Sequence, residues 1–161
     1  MKPNHQAVLA YKHTELVKRF MRKMNLSEAK ALQLFQDMLM FLFIAGTAER
    51  DAHIVPPTDV IDNAWHEFIL YTRDYREFCH EFFGEMIDHQ PFSSEVIEQQ
   101  HSEEKEDGIE TTIRYAETIF GELSENWVGP RAWCSHRPSC QVKKPDEVKI
   151  PTPTPAQPST A

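Results

Sequence analysis

Hydrophobic residues recur at helical spacing over the first third of the chain. Between Glu15 and Met24, apolar residues lie three or four positions apart and basic residues fill most of the positions between them. From Leu32 to Ile44 the apolar residues spread around the whole helical circumference. A one-sided pattern is typical of a surface helix, and an all-round pattern is typical of a helix enclosed by others. The sequence therefore predicts an amphipathic helix followed by a central, buried one.

Capping residues predict two further helices in the middle of the chain. Thr58 or Asp59 can accept hydrogen bonds from the first turn of a third helix. Asp74, with Glu77 three residues later, resembles a capping box at the start of a fourth helix, and Gly84 is a natural helix end. Because the two segments follow each other almost at once, we expect them to form a helical hairpin.

A fifth helix is predicted between Asp107 and Gly121, again from a capping-box-like pair and a terminal glycine. Sustained apolar and polar alternation is missing, and so are the Asn-Gly and Asp-Gly pairs that mark tight hairpins. These features predict an all-α fold, a small bundle of about five helices. We expect a helical domain over residues 1–142, with an acidic connector at about 93–108, and a flexible Pro-rich tail over 143–161.

Charge and composition argue against several classes of protein. The chain has 161 residues, 17 Lys and Arg against 25 Asp and Glu, and a net charge of −8, which argues against nucleic acid as a partner. The longest apolar run, Met38 to Ala45, is far shorter than the roughly 20 residues that span a bilayer. Three cysteines are too few for a disulfide scaffold. We therefore expect a cytoplasmic protein without a membrane anchor.

One stretch concentrates side chains that bind metals. Imidazole, thiolate and carboxylate groups are the ligands that zinc takes in proteins. We select His66 from the third helix, Cys79 from the fourth and His89 from the segment after it, because a helical hairpin can bring them together. Asp62, one turn before His66, would be a fourth ligand or an acceptor for the imidazole N–H. Nitrogen and sulfur together favour zinc.

The same residues have simpler interpretations. Cys79 lies among aromatic residues and is compatible with a small buried apolar side chain. His66 could be a helix histidine paired with Asp62, and a Cys–His nucleophile at Cys79 is disfavoured because apolar surroundings raise a thiol pKa. A second group of soft ligands, in WCSHRPSC, could join the first site, and sequence leaves its role open. Its members are Cys134, His136 and Cys140.

The stretch IDNAWHEFILYTRDYREFCHEFFGEMIDHQP resembles the signature of the glycine-rich domain-containing protein-like family. The shared elements are D-x-x-W-H, T-x-x-Y, F-C and H-x-P, here Asp62, Trp65, His66, Thr72, Tyr75, Phe78, Cys79, His89 and Pro91. The resemblance implies no established activity; larger plant members are discussed in development and stress responses, and RNA binding has been suggested for some. This chain lacks a glycine-rich region, and Phe68 stands where larger relatives tend to have a second histidine.

These observations predict a helical protein with a His/Cys zinc site, and we expect four protein ligands that hold the hairpin to the following segment. If one position is instead open to water, the metal could assist hydrolysis with Glu67 or Asp88 as base. The main alternative is a metal-free protein interaction module that uses an aromatic face or the Pro-rich tail. A third is RNA binding through the cations of the first helix, Lys18, Arg19, Arg22 and Lys23.

Overall fold

The computed structural model describes residues 3–49, 52–89 and 103–129. Within these ranges the chain forms six α-helices and one 3-10 turn and contains no β-strand, which confirms the all-α prediction. The helices are α1 (His5–Leu9), α2 (Thr14–Met24), α3 (Glu28–Thr47), α4 (Asp59–Ile69), α5 (Thr72–Phe83) and α6 (Glu103–Phe120), and the 3-10 turn is Glu125–Trp127.

The central helix of the bundle is α3, as its all-round apolar pattern predicts. It packs against α1, α2, α4, α5, α6 and the 3-10 turn. Phe35, Leu39, Phe41 and Leu42 are among its buried residues. By length and composition α3 could also cross a membrane, but 56% of its most apolar window is buried inside the fold. Burial among other helices explains the apolar pattern, and the cytoplasmic location stays a prediction.

The structure contains one helix that was not predicted, and another helix starts earlier than predicted. The short helix α1 carries no long apolar period and was not predicted. The last helix begins at Glu103, so the end of the predicted acidic connector is helical. Acidic residue types are favoured in the first turns of a helix because they complement its dipole. Residues 93–102 and the tail 143–161 lie outside the described ranges.

The start of α5 depends on tertiary contacts rather than on a capping box. The helix begins at Thr72 after Tyr71, which makes no side-chain cap, and the Asp74 carboxylate instead accepts a hydrogen bond from His13 Nε2 at 2.9 Å. Nδ1 of His13 accepts the Leu16 N–H at 3.1 Å and so caps α2. The same imidazole therefore caps the N-terminus of α2 and ties that end of the helix to α5.

Glycines act in two ways around α5. Gly84 ends the helix with φ of 80°, a left-handed conformation that glycine adopts without strain. Gly46, by contrast, lies inside α3, where a Cβ would come within 2.6 Å of the Phe83 ring. Its missing side chain lets the end of α5 approach the central helix. Gly46 is therefore required for the packing of α3 against α5.

Candidate metal centre

Asp62 is the buried carboxylate at the centre of the candidate site. It lies in the first turn of α4 and is only 2% exposed. Its Oδ1 atom is 2.9 Å from His89 Nε2, and its Oδ2 atom is 3.8 Å from His66 Nδ1. A buried carboxylate requires nearby donors or cations, because transfer of the charge out of water is otherwise unfavourable. Here both neighbours are imidazoles.

The tautomer of His66 follows from its contact with the backbone. Its Nδ1 atom is 2.9 Å from the Asp62 carbonyl oxygen, one turn earlier on α4. Because a carbonyl oxygen can only accept, Nδ1 carries the proton, and in the neutral ring the lone pair is on Nε2. A hydrogen bond of this kind fixes the orientation of a histidine for metal binding through its other nitrogen. The ring is partly exposed, with 26% of its side-chain surface accessible.

His89 reaches the site from the segment after α5. Its ring lies between Trp65 and His66, with centroid separations of 4.2 Å to each. Only 10% of its side-chain surface is accessible. Contacts with two rings and with the Asp62 carboxylate hold the imidazole in one position. The end of this segment is therefore fastened to α4.

Tyr75 anchors the same segment from α5. Its hydroxyl accepts the Trp65 Nε1 proton at 3.0 Å and donates to the Ile87 carbonyl at 2.6 Å. Burial raises the pKa of Tyr75 well above its ordinary value, and the neighbouring Cys79 raises it further, so the hydroxyl keeps its proton. The sequence names Tyr75 only as a motif residue. Its polar role has no local signal, because its hydrogen-bond partners Trp65 and Ile87 belong to other segments.

Three side chains of the site can meet a single metal ion. One ligand atom from each of Asp62, His66 and His89 lies within 4.8 Å of the others. In a tetrahedral zinc shell with bonds of about 2.0–2.1 Å, neighbouring ligand atoms are about 3.3 Å apart. The Asp62–His89 pair is at 2.9 Å, so a shift of a few tenths of an ångström would separate it to the coordination distance. The geometry is compatible with a bound ion.

Cys79, the predicted sulfur ligand, is not a member of this group. It is fully buried on the inward face of α5, next to Tyr75 and the backbone of Ile87. Burial raises the pKa of its thiol, and the neighbouring backbone of Ile87 and hydroxyl of Tyr75 offset this only in part. The face of α5 that carries Cys79 packs into the core. This burial is compatible with the simpler interpretation of Cys79 as a small apolar side chain.

We expect Cys79 to resist thiol reagents in the folded protein. A buried thiol with a raised pKa forms little thiolate near neutral pH, and the thiolate is the reactive species. Peptide mapping after brief iodoacetamide treatment at pH 7.5 should find Cys79 unmodified, and modification should follow addition of denaturant. Rapid labelling of Cys79 in the native protein would contradict this placement.

The two carboxylates predicted as possible bases, Glu67 and Asp88, lie in different parts of the structure. The Glu67 carboxylate binds Arg19, and it accepts a hydrogen bond from Lys23 at 3.1 Å. Burial alone would raise the pKa of Glu67, but these two cations outweigh it and hold the pKa below its ordinary value. Glu67 therefore joins α4 to α2 and is not part of the site. Asp88 lines the pocket beside the site, and Cys134, His136 and Cys140 lie outside the described residues.

A pocket of about 290 Å³ adjoins both imidazoles. His66 and His89 form one wall, and Ile69, Thr72 and Tyr75 with residues 86–88 form the rest. Ligands that approach through this pocket would reach the two histidines before the buried Asp62. The site thus has a closed, carboxylate side and an accessible, imidazole side.

Comparison with protein-family models gives one match, the UCP032817-like family, over residues 4–119. The chain belongs to the UCP032817-like family. The match supports an uncharacterised family and does not carry the glycine-rich domain-containing name that the motif resemblance suggested. No curated protein and no solved structure matches the chain. The region shared with the UCP032817-like family includes α1 to α5, most of α6 and all three residues of the candidate site.

Proposed function

We propose that this UCP032817-like protein binds one divalent transition-metal ion through Asp62, His66 and His89. The observation that supports this is the convergence of two imidazoles and a nearly inaccessible carboxylate from α4 and the segment after α5. Two histidines and one carboxylate are a donor set used by catalytic zinc sites and by non-haem iron sites. The second contact of His66, to a backbone carbonyl, is the orienting bond that such ligands commonly make.

Zinc is the first metal to test, although the reason differs from the one given by the sequence. Without Cys79 the donors are two nitrogens and one oxygen, so the sulfur argument for zinc no longer applies. Zinc with three protein ligands and a water is the usual catalytic arrangement. Ferrous iron accepts the same three donors and is the principal competitor.

Three protein ligands also change the expected role of the site. The sequence predicted a site closed by four ligands, whereas the group among the described residues has three and borders a pocket. An ion held there would have coordination positions left for water or another small molecule. Such an ion acts as a Lewis acid and lowers the pKa of a bound water. Asp88, which lines the pocket, is the carboxylate available to accept a proton there.

Metal content of the purified, untagged chain tests the proposal. We expect near-stoichiometric metal after equilibration with zinc, and at least a tenfold loss of affinity in Asp62→Asn and His66→Gln, since each removes a ligand. His80→Gln is the matched control, because His80 is an exposed histidine of α5 outside the group. Equal zinc binding by all four proteins, or none by the wild type, would contradict the proposal.

The metal-free alternative has one specific observation in its favour. The 2.9 Å hydrogen bond from His89 to Asp62 already holds the segment after α5 against α4 without an ion. In that case the site is structural, and a chelator leaves the melting temperature unchanged. An interaction module that uses an aromatic face receives less support, because the large exposed apolar side chains of the described residues are not aromatic; they are Leu32, Leu70, Met86 and Val128. The Pro-rich tail lies outside the described residues.

A further inference from the structure

The pocket beside the candidate metal site has a mainly apolar lining. Ile69 from α4 and Ile87 from the segment after α5 lie along it, together with Met86. Its volume of about 290 Å³ is at the lower end of the range of roughly 300–1,000 Å³ typical of ligand pockets. The apolar surface favours a hydrocarbon or aromatic body, and the volume limits that body to a small one.

Charge in the pocket disfavours anions. Among the described residues that line it there is no Lys or Arg, and Asp88 adds a carboxylate to its wall. A divalent ion at the site would be offset by two negative charges, those of Asp62 and Asp88. Phosphate recognition in proteins normally relies on Arg, Lys or helix N-termini. The described part of the lining offers a phosphate group no Lys or Arg side chain, and its one helix N-terminus is that of α5 at Thr72.

We propose that this pocket binds a small uncharged molecule with an apolar body and one nitrogen or oxygen donor that completes the coordination of the ion. This inference rests on the proposed metal site and adds the class of its ligand. The donor atom lies beside His66 and His89, and the apolar body lies against Ile69 and Ile87. Phosphate esters and other multiply charged anions of the same size are disfavoured by Asp88 and by the lack of Lys and Arg among the described residues of the lining.

Cobalt-loaded full-length protein allows a direct test, because the visible absorption of Co²⁺ changes when a ligand binds to it. We would titrate 4-phenylimidazole and phenyl phosphate, two aromatic probes of similar size that differ in charge. The expected result is a spectral change with 4-phenylimidazole at concentrations at least tenfold lower than with phenyl phosphate. Asp88→Asn should narrow this difference, because it removes the carboxylate that repels the phosphate.

Substitutions at two neighbouring residues, the last of α4 and the one after it, test the apolar lining of the pocket. Ile69→Ser should weaken the binding of 4-phenylimidazole several-fold, because Ile69 lines the pocket. The affinity for Co²⁺ should stay the same, because Ile69 is not one of the grouped metal ligands. Leu70→Ser is the matched control, because Leu70 is the next residue, is 62% exposed and does not line the pocket. It should change neither affinity.

The outcomes separate the two proposals. If the wild type binds Co²⁺ but its spectrum ignores 4-phenylimidazole, or responds to phenyl phosphate at equal or lower concentration, the ligand class is wrong and the metal site stands. Equal probe affinities in Ile69→Ser and the wild type would also overturn the placement of the apolar body. If the wild type does not bind Co²⁺ at all, the metal site fails and this inference fails with it.

Discussion

Replacing Asp37 by alanine should lower the free energy of unfolding by about 3–5 kcal/mol. Asp37 lies on the central helix and is 1% exposed. Its carboxylate accepts hydrogen bonds from Ser124 Oγ and Asn126 Nδ2 at 2.7 Å each, and from Trp127 Nε1 at 3.1 Å. Gln33 Nε2 also donates to this carboxylate, at 3.3 Å, so alanine would leave the buried indole N–H and three other donors without their charged acceptor. A single carboxylate thus fastens the segment after α6 to the core.

Urea denaturation followed by tryptophan fluorescence measures this effect, and Trp127 reports directly on the affected segment. Asp37→Asn should lower the free energy of unfolding less than Asp37→Ala does, because the amide keeps one acceptor oxygen. It should still lower it, because the amide NH₂ group faces other donors. Glu125→Ala is the control, since this carboxylate is 79% accessible and its contact with Lys30 is 3.8 Å long. Such a pair is worth roughly 0–1 kcal/mol. A loss below about 1 kcal/mol in Asp37→Ala would show that the described contacts do not hold the segment.

Addition of zinc should raise the melting temperature of the wild-type chain by about 10 °C when free zinc exceeds its dissociation constant about a thousandfold. At that excess, binding to the folded state alone contributes about 4 kcal/mol. The proposed ligands come from two segments, α4 and the residues after α5, which the unfolded chain does not hold together. Zinc binding would therefore stabilise the fold by a free energy that grows with the logarithm of the ratio of free zinc to its dissociation constant.

Two variants decide which ligand set is correct. His89→Gln should abolish the zinc-dependent shift, because it removes one of the three grouped ligands. Cys79→Ser should keep the shift, although the buried substitution lowers the starting melting temperature. If Cys79→Ser loses the zinc-dependent shift, the thiol is a ligand after all. If His89→Gln keeps the shift, His89 is not a ligand. Addition of a chelator should reverse the shift in the wild type.

Local sequence patterns predicted most of the helical architecture. The one-sided pattern of α2 and the all-round pattern of α3 each arise within a window of some ten to twenty residues, and both helices appear as predicted. The cap of α4 is Thr58, one of the two residues predicted for it from residue type, because such side chains bond to their own neighbours. The start of α5 was not, since Asp74 bonds to His13 from a distant part of the chain.

The sequence alone determined that this is a helical protein and that Asp62 and His66 share one helix face, because a spacing of four residues fixes that relation in any α-helix. Only the tertiary structure decided which other side chains join them. The packing of α5 turned Cys79 into the core, Glu67 was drawn to α2, and the segment after α5 brought His89 back to Asp62. Contacts between segments far apart in the chain depend on how all the apolar faces pack together, which no short window of residues encodes.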